Sequence, residues 1–145
     1  MEIFIDADGC PVVDLTVKIA SQYNIDVTVI CDMAHIFNRT DVKVITVEKG
    51  ADSVDFELVN RIHKGDIAVT QDYGLAAMCL AKKAFPINQN GLIYDNDNIN
   101  SLLNTRAAAQ RIRRGGGKLK GPKKRTSQMD DNFSAALKKL IGDII

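Results

Sequence analysis

The sequence predicts a three-layer α/β domain with a mainly parallel sheet of about five strands, followed by C-terminal helices. The first observation is that apolar, β-branched runs alternate with segments of helical spacing from residue 2 to residue 88. The second is that 145 residues with 46% apolar content are enough to enclose one core. We therefore interpret residues 1–145 as a single domain.

Five short runs are predicted as strands, at residues 2–5, 26–30, 42–47, 67–70 and 85–88. The second and third, DVTVI and VKVITV, are rich in β-branched residues, which favour strands. A polar loop is expected at residues 31–41. The dipeptide Asn90-Gly91 is typical of a turn after the fifth strand.

Helical spacing of apolar residues follows the first, third and fourth strands. The first helix begins near Pro11, since proline fits the first turn of a helix. The second occupies residues 52–63 and closes at Lys64-Gly65. Three further helices are predicted at residues 75–84, about 98–111 and 131–141. The last two are separated by GGGKLKGPKKRTS, whose composition is typical of a mobile connection.

The net charge of +1 conceals an uneven distribution. Residues 1–103 carry a net charge of −7. Residues 104–128, which we call the basic segment, hold nine Lys and Arg and no acid. An acidic body with a basic segment makes a polyanion such as nucleic acid a candidate partner.

Composition excludes several classes of protein. No apolar run approaches the ~18 residues that span a bilayer, and the acidic N-terminus does not resemble a secretory signal. Three cysteines without CxxC spacing indicate neither a disulfide framework nor a thiolate zinc site. The glycine-rich stretch lacks the Gly-Lys-Ser/Thr ending of a P-loop. We expect no membrane partner and a cytoplasmic location.

Acids follow predicted strands that a parallel sheet can bring together. Asp6 and Asp8 follow the first strand, and Asp72 follows the fourth. The helix that precedes the fourth strand begins with Asp52 and Asp55. In open parallel sheets, ligands bind beyond the carboxyl ends of the strands, where the strand order reverses. If strands one and four are neighbours, these carboxylates share one cleft. Clustered carboxylates raise one another's pKa values unless a cation neutralises them, and hard oxygen ligands suit Mg²⁺ or Mn²⁺.

Local structural roles are the alternatives for three of these acids. Asp52 can be a helix N-cap with Asp55 in the first turn, where the helix dipole favours an acid. Asp8 can cap the turn into the first helix. Asp6 and Asp72 follow apolar strands, where local propensity gives no reason for an acid, so both are predicted to be functional.

Five motifs extend over nearly the whole chain: FIDADGCPV at 4–12, GADSVDFELV at 50–59, GDIAVTQDYGLAAMCLAKKA at 65–84, INQNG at 87–91 and RGGGKLKGPKKR at 114–125. Together they resemble the bacterial YaiI/YqxD family. That family is similar to the PIN-like metal-dependent nucleases, which implies a PIN-like domain. In PIN-like proteins an acid follows strand one, another lies on a central helix, and a third follows strand four in a Thr-x-Asp pattern. The resemblance places these roles on Asp6, Asp55 and Asp72, with Asp8 as an additional metal ligand.

The basic segment supplies candidate phosphate contacts for RNA or DNA. They are Arg111, Arg113, Arg114, Lys118, Lys120, Lys123, Lys124 and Arg125. Contacts of this kind give affinity without reading sequence, and they weaken with salt. The alternative is a solvated basic loop. No aromatic residue interleaves with these charges, which disfavours a reader of single strands.

Arg106 stands apart from the other basic residues, on the inner face of a predicted helix with Leu102 and Leu103. We expect it to pair with the acids at the ends of strands one and four or to bind a substrate phosphate of RNA or DNA, with a structural ion pair as the alternative. His35 and His63 are isolated in the sequence. A surface or capping role is favoured over metal binding for both.

The resemblance implies hydrolysis of phosphodiester bonds in RNA or DNA, dependent on Mg²⁺ or Mn²⁺, with water as the nucleophile. A non-catalytic nucleic-acid-binding protein is the first alternative. A haloacid-dehalogenase-like phosphatase is the second, because DADGC imitates Asp-x-Asp-Gly-Thr, although Cys10 replaces the threonine. Cys10 lies beside a helix N-terminus and is also a candidate nucleophile of lowered pKa, with simple packing as the favoured role.

Overall fold

The computed structural model describes residues 1–33, 39–48, 50, 52–116 and 124–145. In these residues the strands are β1 (Glu2–Asp6), β2 (Asp26–Asp32), β3 (Lys43–Val47), β4 (Ile67–Val69) and β5 (Phe85–Ile87). The helices are α1 (Val13–Gln22), α2 (Ser53–Arg61), α3 (Tyr73–Ala81), α4 (Ile99–Arg114) and α5 (Ser127–Ile144). Each predicted strand and helix is therefore present.

The strands form one parallel sheet in the order β3-β2-β1-β4-β5. The chain moves outward from β1 to β3 and then crosses back to β4, so the strand order reverses between β1 and β4. Ile3 of β1 pairs with Ile67 of β4, and Ile5 pairs with Val69. Strands one and four are thus neighbours, which is the condition on which the shared carboxylate cleft depends.

Helices cover both faces of the sheet. On one face Ile3 and Ile5 pack with α1 and α5, whose Phe133 and Leu137 are fully buried. On the other face Phe4 packs with α2 and α3, and α4 packs on α3. Alternate residues of β1 therefore supply two apolar cores, and removing this surface from water stabilises all three layers. The predicted three-layer α/β fold is confirmed, and it is consistent with the PIN-like domain that the resemblance implies.

Helix caps explain where the observed boundaries differ from the predicted ones. α3 begins at Tyr73 rather than at residue 75, because the side chain of Asp72 accepts a hydrogen bond from the N–H of Leu75 at 3.1 Å. α5 begins at Ser127 rather than at residue 131, because Thr126 caps it in the same way. β2 continues to Asp32, so the predicted loop begins after it. Residues 34–38 of that loop, including His35, lie outside the described residues.

The basic segment belongs partly to the two C-terminal helices. α4 continues to Arg114, and residues 117–123 lie outside the described part of the chain. Arg125 anchors the start of α5, because its guanidinium donates hydrogen bonds to Asp130 at 2.8 Å, to Asn90 Oδ1 at 2.8 Å and to the carbonyl of Gln89 at 2.7 Å. Arg125 therefore has a structural role in this fold. No helix in the described ranges is long and apolar enough to cross a membrane.

Candidate active site

The carboxyl ends of β1 and β4 meet at a cavity of about 430 Å³. Six of the described aspartates line it: Asp6, Asp8, Asp32, Asp52, Asp55 and Asp72. We call these six residues the carboxylate cluster. The cavity lies where the strand order reverses, which is the usual ligand position in open parallel sheets. A cavity of about 560 Å³ lies at the amino ends of β1, β2 and β3, away from this point.

Thr70 joins the ends of β1 and β4. Its buried hydroxyl donates to Asp6 Oδ2 at 2.9 Å and accepts from the N–H of Asp72 at 3.0 Å. Its carbonyl accepts a hydrogen bond from the hydroxyl of buried Tyr94 at 3.2 Å. Sequence reasoning gave Thr70 no role beyond its place in the Thr-x-Asp pattern. In the structure it fixes the Asp6 carboxylate relative to the start of α3.

The pKa of Asp6 is raised from 3.8 to about 6. Burial is the largest cause, because it penalises the charged form. The charges of Asp55, Asp8 and Asp72 raise the pKa further, and the hydrogen bond from Thr70 opposes them. The predicted acids therefore lie close enough together for the charges of Asp55, Asp8 and Asp72 to raise the pKa of Asp6.

The pKa of Asp55 is also raised to about 6. Burial is again the first cause, followed by repulsion from Asp72 and Asp52, and the charge of Arg106 opposes the shift. Carboxyl groups with perturbed pKa values in a cleft are typical of catalytic and ligand-binding sites. The α2 carboxylate thus belongs to the same electrostatic unit as the acids at the strand ends.

Asp72 has a local role that sequence reasoning missed, since it caps α3. The same oxygen, Oδ1, lies 3.7 Å from Nη1 of Arg106 on α4. Gly74 leaves room for this pair, because a Cβ there would lie 3.2 Å from Asp72 Oδ1 and 3.3 Å from Arg106 Nη1. Arg106 therefore reaches the carboxylate cluster, which is one of the pairings predicted for it. Its contact with a phosphate stays a prediction.

The capping roles considered for Asp52 and Asp8 are not adopted. Asp52 occupies the N-cap position of α2 with a φ of 66° but makes no side-chain cap hydrogen bond. Asp8 Oδ1 instead accepts a long hydrogen bond, 3.5 Å, from the N–H of Asp32. The N-cap position of α1 is Val12. Sequence reasoning missed Asp32, although it ends the second strand as Asp6 ends the first.

The oxygen donors of the cluster are of the type that hard divalent cations prefer. In the described residues no group of three or more His, Cys, Asp or Glu side chains could hold a metal ion by itself. Mg²⁺ is usually bound by one or two carboxylates, several waters and substrate phosphates rather than by an all-protein cage. Asp6 and Asp55 are carboxylates that could bind a cation in this way, and its charge would offset the burial and the neighbouring charges that raise their pKa values.

Cys10 and His63 do not extend the site. Burial raises the pKa of the Cys10 thiol, so the hypothesis of a low-pKa nucleophile is wrong, and the residue packs against the core. His63 is exposed, and its ring nitrogen Nδ1 lies 3.8 Å from Asp66. Cys10 therefore has the packing role, and His63 the surface role, that the sequence favoured.

Three of the predicted phosphate contacts, Arg111, Arg114 and Lys124, are exposed. The first two lie near the end of α4, the helix that also carries Arg106. Outside the described residues are Lys118, Lys120, Lys123 and the side chain of Arg113. Arg111 and Arg114 therefore share a helix with the arginine that reaches the carboxylate cluster, whereas Lys124 lies just before α5.

Comparison with known proteins identifies the family. A family model described as "Uncharacterized BCR, YaiI/YqxD family" matches residues 4–143. The chain belongs to the YaiI/YqxD family. It is 54% identical over 141 residues to the UPF0178 protein of Exiguobacterium sibiricum, covering 97% of this chain and 96% of that protein. The UPF0178 protein of Clostridium acetobutylicum is 50% identical over 145 residues, covering 97% of each chain.

A third YaiI/YqxD relative, the UPF0178 protein of Ruminiclostridium cellulolyticum, is 50% identical over 137 residues, covering 94% of this chain and 90% of that protein. No solved structure gave a match. The region matched by the YaiI/YqxD model contains the whole carboxylate cluster. The family is uncharacterised, so membership assigns no reaction, metal or substrate.

Proposed function

We propose that this YaiI/YqxD protein hydrolyses phosphodiester bonds of RNA or DNA with Mg²⁺ or Mn²⁺ at the carboxylate cluster. The observation that supports this most is the convergence of Asp6, Asp55 and Asp72, with Asp8 beside them, where the strand order reverses. Clustered carboxylates destabilise one another unless a cation neutralises them. Neutralisation by a cation would also allow the scissile phosphate to approach these carboxylates.

The predicted site residues have defined parts in this function. Asp6, Asp55 and Asp72 would hold the cation, with Asp8 as a further oxygen ligand, and Thr70 orients the Asp6 carboxylate. A bound Mg²⁺ or Mn²⁺ would supply activation of the attacking water and stabilise the leaving oxygen. Arg106 can donate charge-assisted hydrogen bonds to the phosphate. Hydrolysis adds water across one P–O bond, so one product ends in a phosphate and the other in a hydroxyl.

Cleavage of end-labelled RNA and DNA oligonucleotides tests this function. The wild type with Mg²⁺ or Mn²⁺ is expected to shorten them, and Asp55→Asn is expected to lower the rate by about 100-fold or more, because it removes a charged ligand. The matched control is Asp26→Asn, since Asp26 is exposed at the amino end of β2. A wild type that cleaves nothing with either metal contradicts the proposal. Turnover of small phosphate esters, with a phosphoryl group on Asp6, would indicate a phosphatase instead.

A non-catalytic nucleic-acid-binding protein is the second candidate. One observation favours it: the Asp72 carboxylate caps α3 and lies near Arg106, and these roles need no substrate. Under this alternative, Asp72→Asn leaves RNA affinity unchanged or higher, and the wild type cleaves nothing. Under the proposed nuclease function, the same variant loses cleavage.

Nucleic-acid binding is expected to weaken steeply with salt, because Arg111, Arg114 and Lys124 would replace counterions on phosphates. Changing all three to Gln should reduce the slope of log affinity against log salt by roughly 0.7 per lost contact for a single strand. Fluorescence anisotropy of a labelled RNA in EDTA measures this slope. A control variant removes as many exposed charges elsewhere, at Lys18, Lys138 and Lys139. Equal slopes for the two variants contradict a role for the basic segment.

A further inference from the structure

A cavity of about 320 Å³, which we call the second cavity, adjoins the cavity of the carboxylate cluster. The two cavities share Asp52, Asp55 and Asp72. The residues found only in the second are Phe56, Gly74, Met78 and Arg106. The second cavity therefore lies directly beside the proposed reacting centre, and apart from the three shared aspartates its lining is apolar and cationic.

Phe56 gives the second cavity an aromatic wall. It follows Asp55 in α2, and 62% of its surface is exposed. An exposed ring gains little hydrophobic stabilisation from the fold. Aromatic side chains in such positions are what nucleic-acid-binding proteins use to stack unpaired bases. Met78, which packs partly buried against the core beneath α2 and α3, adds a second apolar surface.

Arg106 gives the same cavity a phosphate donor. It extends from α4 toward Asp72, and about half of its side chain is exposed. Gly74 keeps this path open, since a Cβ there would crowd both groups of the pair. A guanidinium donates two parallel hydrogen bonds to a phosphate more readily than it does to a single cap oxygen at 3.7 Å.

We propose that this second cavity is a nucleotide subsite, which takes an unpaired base against Phe56 and the adjoining phosphate against Arg106, so that the substrate is single-stranded nucleic acid. This inference rests on the proposed function for the fate of the phosphodiester, but the binding itself is measurable without cleavage. A base inside a duplex is stacked and paired, so only an unpaired nucleotide presents its face to Phe56. The basic segment contains no aromatic residue that could stack on a base, and in this proposal Phe56 on α2 provides that contact.

Fluorescence tests the subsite, because the chain contains no tryptophan. Phe56→Trp places a single indole in the second cavity. Titration with oligo(dT) or oligo(U) in EDTA is expected to quench its fluorescence saturably, and oligo(dT) paired with oligo(dA) is expected to change it little. The matched control is Phe85→Trp, since Phe85 is also exposed, 38%, but lies at the start of β5, at the opposite end of the sheet.

Removal of the ring gives an independent measurement. Phe56→Ala is expected to weaken oligo(U) binding by about fivefold or more, which is the effect of one lost base stack, whereas Phe56→Tyr keeps the affinity. Because Phe56 is exposed, the alanine variant is expected to remain folded. Affinity for the duplex should not change.

The outcomes separate the subsite from the proposed function. Quenching of Phe56→Trp without quenching of Phe85→Trp supports the subsite, whether or not the wild type cleaves oligonucleotides. No quenching of either protein, equal quenching of both, or a stronger response to the duplex overturns the subsite. Each of these negative results leaves the proposed function standing if the wild type cleaves with Mg²⁺ or Mn²⁺.

Discussion

Asp6→Asn is expected to lower the rate of metal-dependent cleavage by about 100-fold or more. The same change is expected to make the metal-free protein more stable above pH 6. Burial and the charges of Asp55, Asp8 and Asp72 raise the pKa of Asp6 to about 6. An asparagine Oδ1 can still accept the hydrogen bond from Thr70, but the side chain carries no charge. The substitution that removes a proposed metal ligand therefore also removes an electrostatic cost.

The direction of the pKa shift fixes the pH dependence. The pKa of Asp6 is about 6 in the folded protein and 3.8 for the ordinary group, so between these values the folded state binds more protons than the unfolded state. The free energy of unfolding of the wild type therefore falls as pH rises through this window and stays lower above it. Asp6→Asn lacks this loss, and we expect it to be more stable than the wild type by about 1 to 3 kcal/mol above pH 6.

Urea unfolding in EDTA from about pH 4 to pH 8 measures this difference. Asp26→Asn is again the control, and we expect its pH profile and its cleavage rate to match the wild type. If Asp6→Asn is less stable than the wild type above pH 6, the charged Asp6 carboxylate is not destabilised in the folded protein. Retained cleavage would show that Asp6 is not a ligand.

Thr70→Val is expected to lower the cleavage rate by about 10- to 100-fold, whereas Thr70→Ser should keep most of it. Valine has the shape of threonine but lacks the hydroxyl that donates to Asp6 and accepts from the N–H of Asp72. The Asp6 carboxylate then loses the hydrogen bond that lowers its pKa. The N–H of Asp72 loses its acceptor, so a stability loss of about 1 to 3 kcal/mol should accompany the change.

The pH profile of cleavage distinguishes a positioning role for Thr70 from a general effect on folding. The acidic limb of the profile is expected to move to higher pH in Thr70→Val, because the pKa of Asp6 rises further. Thr70→Ser restores both hydrogen bonds and should restore the wild-type profile. If Thr70→Val is less stable but has an unchanged rate and profile, Thr70 supports the fold and not the reaction.

The fold was largely predictable because its signals are local. Runs such as DVTVI and the helical spacing at residues 52–63 predicted strands and helices that the structure contains. Boundaries were less predictable, because they depend on single hydrogen bonds such as the cap of α5 by Thr126. The adjacency of β1 and β4 depends on the path of the whole chain. It could not be predicted from local patterns, so the shared cleft was predicted only on the condition that these two strands are neighbours.

The candidate site was predictable where position along a strand identifies a residue, as at Asp6. It was not predictable where partners are distant in sequence. Thr70 contacts Asp6 across 64 residues, and nothing near Thr70 indicates that contact. Phe56 is one apolar residue of an amphipathic helix until the structure shows it exposed. Arg125 was assigned to phosphate because two of its partners, Gln89 and Asn90 on the turn after β5, are far from it in the chain.

Calorimetric titration of Mn²⁺ into the wild type, Asp6→Asn and Asp72→Asn tests most directly whether the carboxylate cluster is a cation site. We expect saturable binding to the wild type and loss of that binding in both variants, because each removes a negative charge from the same cavity. If the wild type binds no Mn²⁺ at millimolar concentration, or if both variants bind it as the wild type does, the cluster is not a metal site and the proposed nuclease function is wrong.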